Sequence, residues 1–259
     1  MATPNPAVPD AVDFGFRRVS AEEKDQLVQG VFDQVSSRYD VMNDLMSGGL
    51  HRRWKREFIA GLFPSPPTRL VDVAGGTGDI AMRFLERYHE TSGGLASPAI
   101  TVVDANPSML ATGRDRAIDR GMLSGIRWAA GRAEALPLRD RSVEAYTVSF
   151  GLRNATDLPK ALAEARRVLT PGGRFLCLEF SRPVSTIAGP YDRYSFSVIP
   201  VLGRIVVGDA APYRYLVESI RRFPDQQTFA TMIAEAGFSH VRFRNLSGGI
   251  VAIHSAWRL

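Results

Sequence analysis

Cysteine is nearly missing from this chain: Cys177 is the only one in 259 residues. Internal disulfides and cysteine-rich zinc sites are thereby excluded, and no metal is expected. Cys177 lies inside the apolar stretch Phe175–Leu178 and reads as a small core residue. No apolar run reaches the roughly 18 residues of a membrane span. The opening MATPNPAVPD has neither a basic region nor an apolar stretch, so no secretory leader is expected. No Gly-Lys-Ser/Thr closes a glycine-rich turn, which argues against a phosphate-cradling loop.

What is present is 45% apolar and 23% charged, enough for one large domain with a substantial core. The net charge is +5 and the sequence pI is near 9.6. That balance suits nucleic acid or an anionic membrane surface without choosing between them. The expected location is cytoplasmic, with peripheral contact at the inner membrane allowed.

The chain is organised around LVDVAGGTGDI, Leu70 to Ile80. Leu70, Val71 and Val73 form a strand; Gly75, Gly76 and Gly78 permit a tight turn; Ile80, Ala81, Phe84 and Leu85 recur at helical spacing. Strand, turn and helix together predict free backbone N–H groups at a helix N-terminus, ready for a ligand. GGTG is not G-x-G-x-x-G, and Asp72 and Asp79 on either side are poor company for a phosphate. They suit a cationic ligand, and S-adenosylmethionine carries an ammonium and a sulfonium. A second strand, Ile100 to Val103, ends on Asp104, 26 residues beyond Gly78. An acid there accepts hydrogen bonds from ribose hydroxyls in doubly wound folds, usually at a spacing of about 20. The loop Thr91–Pro98 accounts for the excess. The competing reading makes Asp104 a cap for the helix beginning near Pro107.

Before this core, residues 1–19 are expected to be disordered, with Phe14, Phe16 and Val19 tying down their end. Ser20 and Glu23 form a capping box, followed by Leu27, Val28, Val31, Phe32 and Val35 at helical spacing. Gly48 and Gly49 split the stretch Ser37–Phe63, whose second helix should carry His51, Trp54, Phe58 and Leu62 on one side and Arg52, Arg53, Lys55 and Arg56 on the other. Residues 20–63 are read as a helical lid, and residues 20–259 as a single domain.

After the core strands come a third strand (Ile126 to Ala130), a fourth (Val143 to Phe150) and a helix expected to stop at Pro171-Gly172-Gly173. A fifth strand (Arg174 to Phe180) leads into an aromatic-rich helical insertion, residues 181–224. A last helix and a two-strand hairpin close the chain. The alternation predicts a mostly parallel α/β sheet with helices on both faces.

YDVMNDLMSGGLHRRW (Tyr39 to Trp54), DVAGGTGD, AEALP (Ala133 to Pro137), SFGLRN (Ser149 to Asn154), VLTPGG, LEFSRP, YRYLVESI (Tyr213 to Ile220) and FPDQQTF stand together in this order. With them the chain closely resembles the ubiquinone/menaquinone biosynthesis C-methyltransferase family, from about Phe14 onward. The resemblance implies a class I methyltransferase (Rossmann-like) fold with a seven-stranded sheet of order 3-2-1-4-5-7-6, strand 7 antiparallel. It implies S-adenosylmethionine as methyl donor and a polyprenylated quinol as acceptor, either 2-polyprenyl-6-methoxy-1,4-benzoquinol or demethylmenaquinol. By the same resemblance Gly75, Gly76, Thr77 and Gly78 in the turn, Asp104, Arg132, Ala133 and Ser149 line the donor site. Arg132 stands where the family has Asn: a backbone contact survives that change, whereas a side-chain hydrogen bond to adenine need not.

Methylating an aromatic carbon needs electron density from an adjacent, partly deprotonated ring hydroxyl, whose free pKa is about 10. A guanidinium beside the oxygen lowers that value. Arg153 is expected to polarise the oxygen, directly or through water, with Asn154 and Tyr39 completing the network and His51 as a candidate proton acceptor. The competing reading for Arg153 is a salt bridge to Asp157 or Glu179; for His51, a capping or surface histidine. A polyprenyl tail calls for a membrane-facing entrance, and the basic residues around Trp54 are a candidate surface. A homodimer or a quinone-biosynthesis complex is compatible with such a patch.

Two other functions are weighed. An RNA methyltransferase fits the pI, but there is no Asn/Asp-Pro-Pro-Tyr tetrapeptide and no cysteine pair, so no nucleic-acid partner is expected. A non-catalytic subunit of a quinone-biosynthesis complex would need a damaged donor site, and the glycine turn and Asp104 are intact.

Overall fold

The computed structural model describes residues 11–35, 44, 47–63, 65–92, 97–197, 201, 209 and 211–259. Seven strands form one sheet: β3 (Arg69–Val73), β4 (Ala99–Asp104), β5 (Ile126–Ala130), β6 (Val143–Ser149), β7 (Leu169–Phe180), β8 (Ser239–Leu246) and β9 (Val251–Arg258). Their order is β5-β4-β3-β6-β7-β9-β8. β3 to β7 pair in parallel, and β9 runs antiparallel to both β7 and β8. Counted from β3, this is the expected 3-2-1-4-5-7-6.

β3 sits at the centre, and its side chains alternate between two cores. Leu70 joins Phe84, Ile100, Leu176 and Leu178 on one face. Val71 and Val73 join Tyr146, Val148, Leu162, Phe175 and Phe229 on the other. Because both faces are covered, the strand reads as a continuous apolar run, broken only by Asp72. The covering helices are α1 (Ala21–Val35), α2 (Leu50–Ala60), α3 (Asp79–Ser92), α4 (Pro107–Asp119), α5 (Leu158–Val168), α6 (Ser185–Ser197), α7 (Ala211–Arg222) and α8 (Gln226–Glu235). Among the described residues no helix is long and apolar enough to cross a membrane.

Three expectations need correction. Disorder before residue 20 does not extend through residues 12–19, where β1 (Val12–Phe14) and β2 (Arg17–Val19) pair as an antiparallel hairpin. The hairpin is fastened to α7: Phe14 stacks on Tyr215 with ring centroids 4.2 Å apart, and the Phe16 N–H donates to Glu218 Oε2 at 3.0 Å. Pro171-Gly172-Gly173 ends no helix by a turn. α5 stops at Val168 and the chain enters β7 directly; Leu169 pairs with Val143 and Arg174 with Ala145, so the residues between them bulge. Gly172, at φ 78°, is the residue that lets the strand absorb this.

The third correction concerns the faces of α2. Trp54 does not lie beside an open basic face: it is 3% exposed, and its indole N–H donates to Ser247 Oγ at 2.8 Å. Lys55 is buried too, its ammonium 2.8 Å from Asp79 Oδ2. Only Arg52, Arg53 and Arg56 of the basic group stay exposed, and Arg52 is paired with Asp44.

Candidate active site

A cleft opens at the C-terminal edge of the parallel sheet, where β3, β4, β5 and β6 end. Its floor is Ala74 and Gly76 after β3, with Asp104 and Asn106 after β4. One side is Arg132, Ala133 and Glu134; the far end is Phe150, Gly151 and Asn154 after β6. α1 supplies the remaining wall through Asp25, Val28, Gln29 and Phe32.

The glycine turn is packed tightly beneath this cleft. A Cβ on Gly75 would fall 2.7 Å from Val102 Cγ1 and 2.9 Å from Asp72 Oδ2. Gly78 has φ 73° and lies against the Trp128 indole. The three glycine N–H groups of the turn are used inside the fold, so these donors are not free for a ligand. Gly75 donates to the Val103 carbonyl at 3.2 Å, Gly78 to the Gly75 carbonyl at 2.8 Å, and Gly76 to Asp104 Oδ2 at 2.8 Å.

Asp104 is placed by two such bonds, the second from the Asn106 N–H to Oδ1 at 2.8 Å. The helix cap is not Asp104 but Asn106, whose Oδ1 accepts from the Met109 N–H at 2.9 Å. Burial pushes the Asp104 carboxyl up, against the pull of those backbone donors. Each of its oxygens keeps a lone pair for a further donor in the cleft.

The two acids flanking the turn differ. Asp72 is fully buried; Oδ1 accepts from Thr147 Oγ1 at 2.9 Å and Oδ2 has no hydrogen-bond partner among the described residues. Burial pushes its carboxyl up to about 7, against the bond from Thr147 and the charge of Lys55. Asp79 would also rise by burial, but Lys55 and Arg83, both at 2.8 Å, hold it below the usual carboxylate range. With two cations already on it, Asp79 is no partner for a cationic ligand.

Of the remaining donor-site residues, Ser149 ends β6 with a buried hydroxyl that has no partner among the described residues. Thr77 is 2% exposed, and its hydroxyl accepts from Arg116 at 3.3 Å. Arg132 reaches the cleft edge with its guanidinium tied to Asp25 of α1 and 3.6 Å from Glu134. Arg132 and Ala133 both line the cleft.

Of the acceptor-side residues, Asn154 lines the cleft in a short 3-10 turn, Leu152–Asn154. Arg153 lies behind it and lines a neighbouring polar cavity instead. Its Nη1 donates to the Phe150 carbonyl and to Glu179 Oε1 at 3.1 Å, while Nε has no partner among the described residues. Burial raises Glu179, with Arg153 pulling it the other way. His51 stands outside the cleft at the start of α2, its Nδ1 2.9 Å from Ser47 Oγ. Tyr39 lies outside the described residues. Among the described residues no group of three or more metal-ligating side chains occurs.

Sequence patterns did not reveal that Asp25, Gln29 and Asn106 belong to the cleft. Spacing finds the apolar stripe of α1, Val28 and Phe32, but not what that stripe lies against. Asn106 is visible as a cap before Pro107, and not as the residue whose amide donates to Asp33 of α1 at 2.8 Å.

A model of the ubiE/COQ5 methyltransferase family matches residues 19–258. The chain belongs to that family. A ubiquinone/menaquinone biosynthesis C-methyltransferase of Paracoccus denitrificans is 56% identical over 255 residues, covering 98% of this chain and 99% of that one. Its counterpart in Methylobacterium nodulans is 58% identical over 252 residues, 96% of this chain and 97% of that one. Among solved structures, an S-adenosylmethionine-dependent methyltransferase of Thermotoga maritima superposes with a TM-score of 0.60 at 18% identity, over 89% of this chain and 99% of that one. At that identity the likeness concerns the fold, which is the class I methyltransferase fold. In this family member the cleft therefore sits where a doubly wound sheet takes its nucleotide ligand.

Proposed function

We propose that the chain transfers a methyl group from S-adenosylmethionine to a ring carbon of a polyprenylated quinol in ubiquinone/menaquinone biosynthesis. The observation that carries this reading is the family match, which spans the glycine turn, the cleft and Asn154 without interruption. The cleft fits the donor: a turn too crowded for side chains at Gly75 and an acid with spare lone pairs at Asp104. In this reading Asp104 takes the ribose hydroxyls and the Arg132–Ala133 backbone the adenine edge. When bound, S-adenosylmethionine supplies a methyl group on a positively charged sulfur.

The protein's task is then to hold the ring and manage its proton. Asn154 at the cleft end orients the acceptor ring, and Phe150 offers an apolar surface beside it. The ring hydroxyl releases its proton to water, the electron pair moves onto the adjacent carbon, and that carbon would take the methyl group as its bond to sulfur breaks, the sulfur leaving as a neutral thioether. The ring regains aromaticity by losing its own hydrogen as a proton. Arg153 favours the anionic ring oxygen through water from behind Asn154, with Glu179 fixing its guanidinium. Peripheral contact with a membrane through Arg52, Arg53 and Arg56 completes the reading, since a polyprenyl tail is not stable in water.

The test is incubation of the protein with methyl-labelled donor, a reduced prenylated benzoquinol or naphthoquinol, and nuclease. Label is expected in the lipid phase with one or both quinols. Label that disappears with nuclease treatment would favour RNA as acceptor, and none in either would sink the catalytic reading.

A further inference from the structure

We propose that Tyr215 is a positioning residue for Asn154: it holds the carboxamide by its oxygen, so that the NH2 group is the part presented to the acceptor end of the cleft. The inference rests on the reading of this cleft as a methyl-transfer site.

It begins from a sequence block the cleft itself does not use. YRYLVESI forms the middle of α7. Tyr213, Tyr215, Leu216, Val217, Ser219 and Ile220 of that block are all buried. Core packing accounts for the aliphatic members. It does not account for Tyr215, whose hydroxyl donates to Asn154 Oδ1 at 3.0 Å across 61 residues of chain. The phenol is itself held: its ring is 6% exposed and stacks on Phe14 of the N-terminal hairpin, the planes 15° apart. The Asn154 backbone is equally fixed, its N–H donating to the Gly151 carbonyl at 3.0 Å.

An asparagine amide has an acceptor end and a donor end, and rotation by half a turn exchanges them with little change in shape. Which end meets the ligand is therefore decided by whatever binds the other end. A ring oxygen gaining negative charge needs a donor, so the useful orientation keeps Oδ1 away from it. Tyr215 imposes that orientation by donating to Oδ1. Burial pushes its hydroxyl up to about 12, so it keeps its proton at any working pH. The hairpin enters the same chain of support. Phe14 fixes the phenol, the phenol fixes the amide, and the amide faces the cleft.

Tyr215→Phe removes the hydroxyl and keeps the stacked ring. The expected result is a fall in kcat of about tenfold, the kinetic equivalent of one neutral hydrogen bond. Donor affinity is expected to stay at the wild-type value, and the melting temperature to fall by no more than a few degrees. Added to Asn154→Ala, the same change should cost nothing further, because the amide it orients is already gone. In the ligand-free protein, the side-chain amide 1H–15N pair of Asn154 should shift in Tyr215→Phe. This readout does not depend on which acceptor is used. Wild-type kcat with unmoved Asn154 resonances would overturn the proposal, as would multiplied losses in the double variant. Resonances that move in a protein methylating no quinol would support the Tyr215 contact and overturn the acceptor assignment instead.

Discussion

α1 and α2 come from the same N-terminal stretch, expected to act together as one lid, and the fold uses them in opposite ways. α2 is part of the body: Trp54, Phe58 and Ile59 lie in the core under the sheet, and Lys55 is buried against Asp79. Along the described part of α1 only Lys24 is fully buried. α1 is held over the cleft by polar contacts: Arg132 to Asp25, Lys24 to the Ala155 carbonyl at 2.7 Å, Thr156 to Asp25 at 3.1 Å, and Asn106 to Asp33. Apolar surface returned to water is costly, whereas polar contacts near the surface exchange for water at little net cost. From that difference α2 is expected to carry stability and α1 to govern access to the cleft.

The strongest challenge to that contrast is Phe58→Ala. Phe58 is fully buried, and its removal is expected to lower unfolding stability by about 4 kcal/mol in a denaturant titration. A loss below about 1 kcal/mol would put α2 in the same class as α1. Asp25→Ala should do the reverse. With both partners of its ion pair partly exposed, stability is expected to change by less than about 1 kcal/mol. Donor release, followed by stopped-flow fluorescence, should quicken several-fold; release at the wild-type rate would end the case for α1 as the gate.

The smallest effect expected is in pH dependence on the acid side, at His51 of α2. Burial, reinforced by the charge of Lys55, holds His51 below its usual 6.5. A lowered value in the folded state means that this contribution is present above pH 6.5 and is lost as pH falls through the lower folded value. The wild type should therefore lose melting temperature faster on acidification than His51→Gln. Parallel curves would remove His51 from the account of α2.

Much of the fold was legible because its signals are local. Strand length, the GGTG turn, the Ser20–Glu23 box and the closing hairpin each declare themselves within about ten residues. The Ser20 half of the box is present, with the Glu23 N–H donating to Ser20 Oγ at 3.1 Å. The errors came where a residue's role depends on a distant partner. Lys55 reads as one of four surface cations until Asp79, 24 residues away, is seen beneath it. Phe14 reads as the end of a loose segment until Tyr215 is found stacked on it. Pro171-Gly172-Gly173 reads as a turn because the bulge it forms exists only relative to β6.

The amino-acid order alone settles the alternation of strands and helices, the glycine turn and the acid at the end of β4, because periodicity and backbone sterics act between near neighbours. The tertiary structure decides the rest: that α1 rather than α2 walls the cleft, that Arg153 is paired with Glu179, and that Asn154 is gripped from behind by Tyr215. Those outcomes depend on which surfaces meet across sequence separations of 26 to 131 residues, and burial and charge pairing take effect only once they have met.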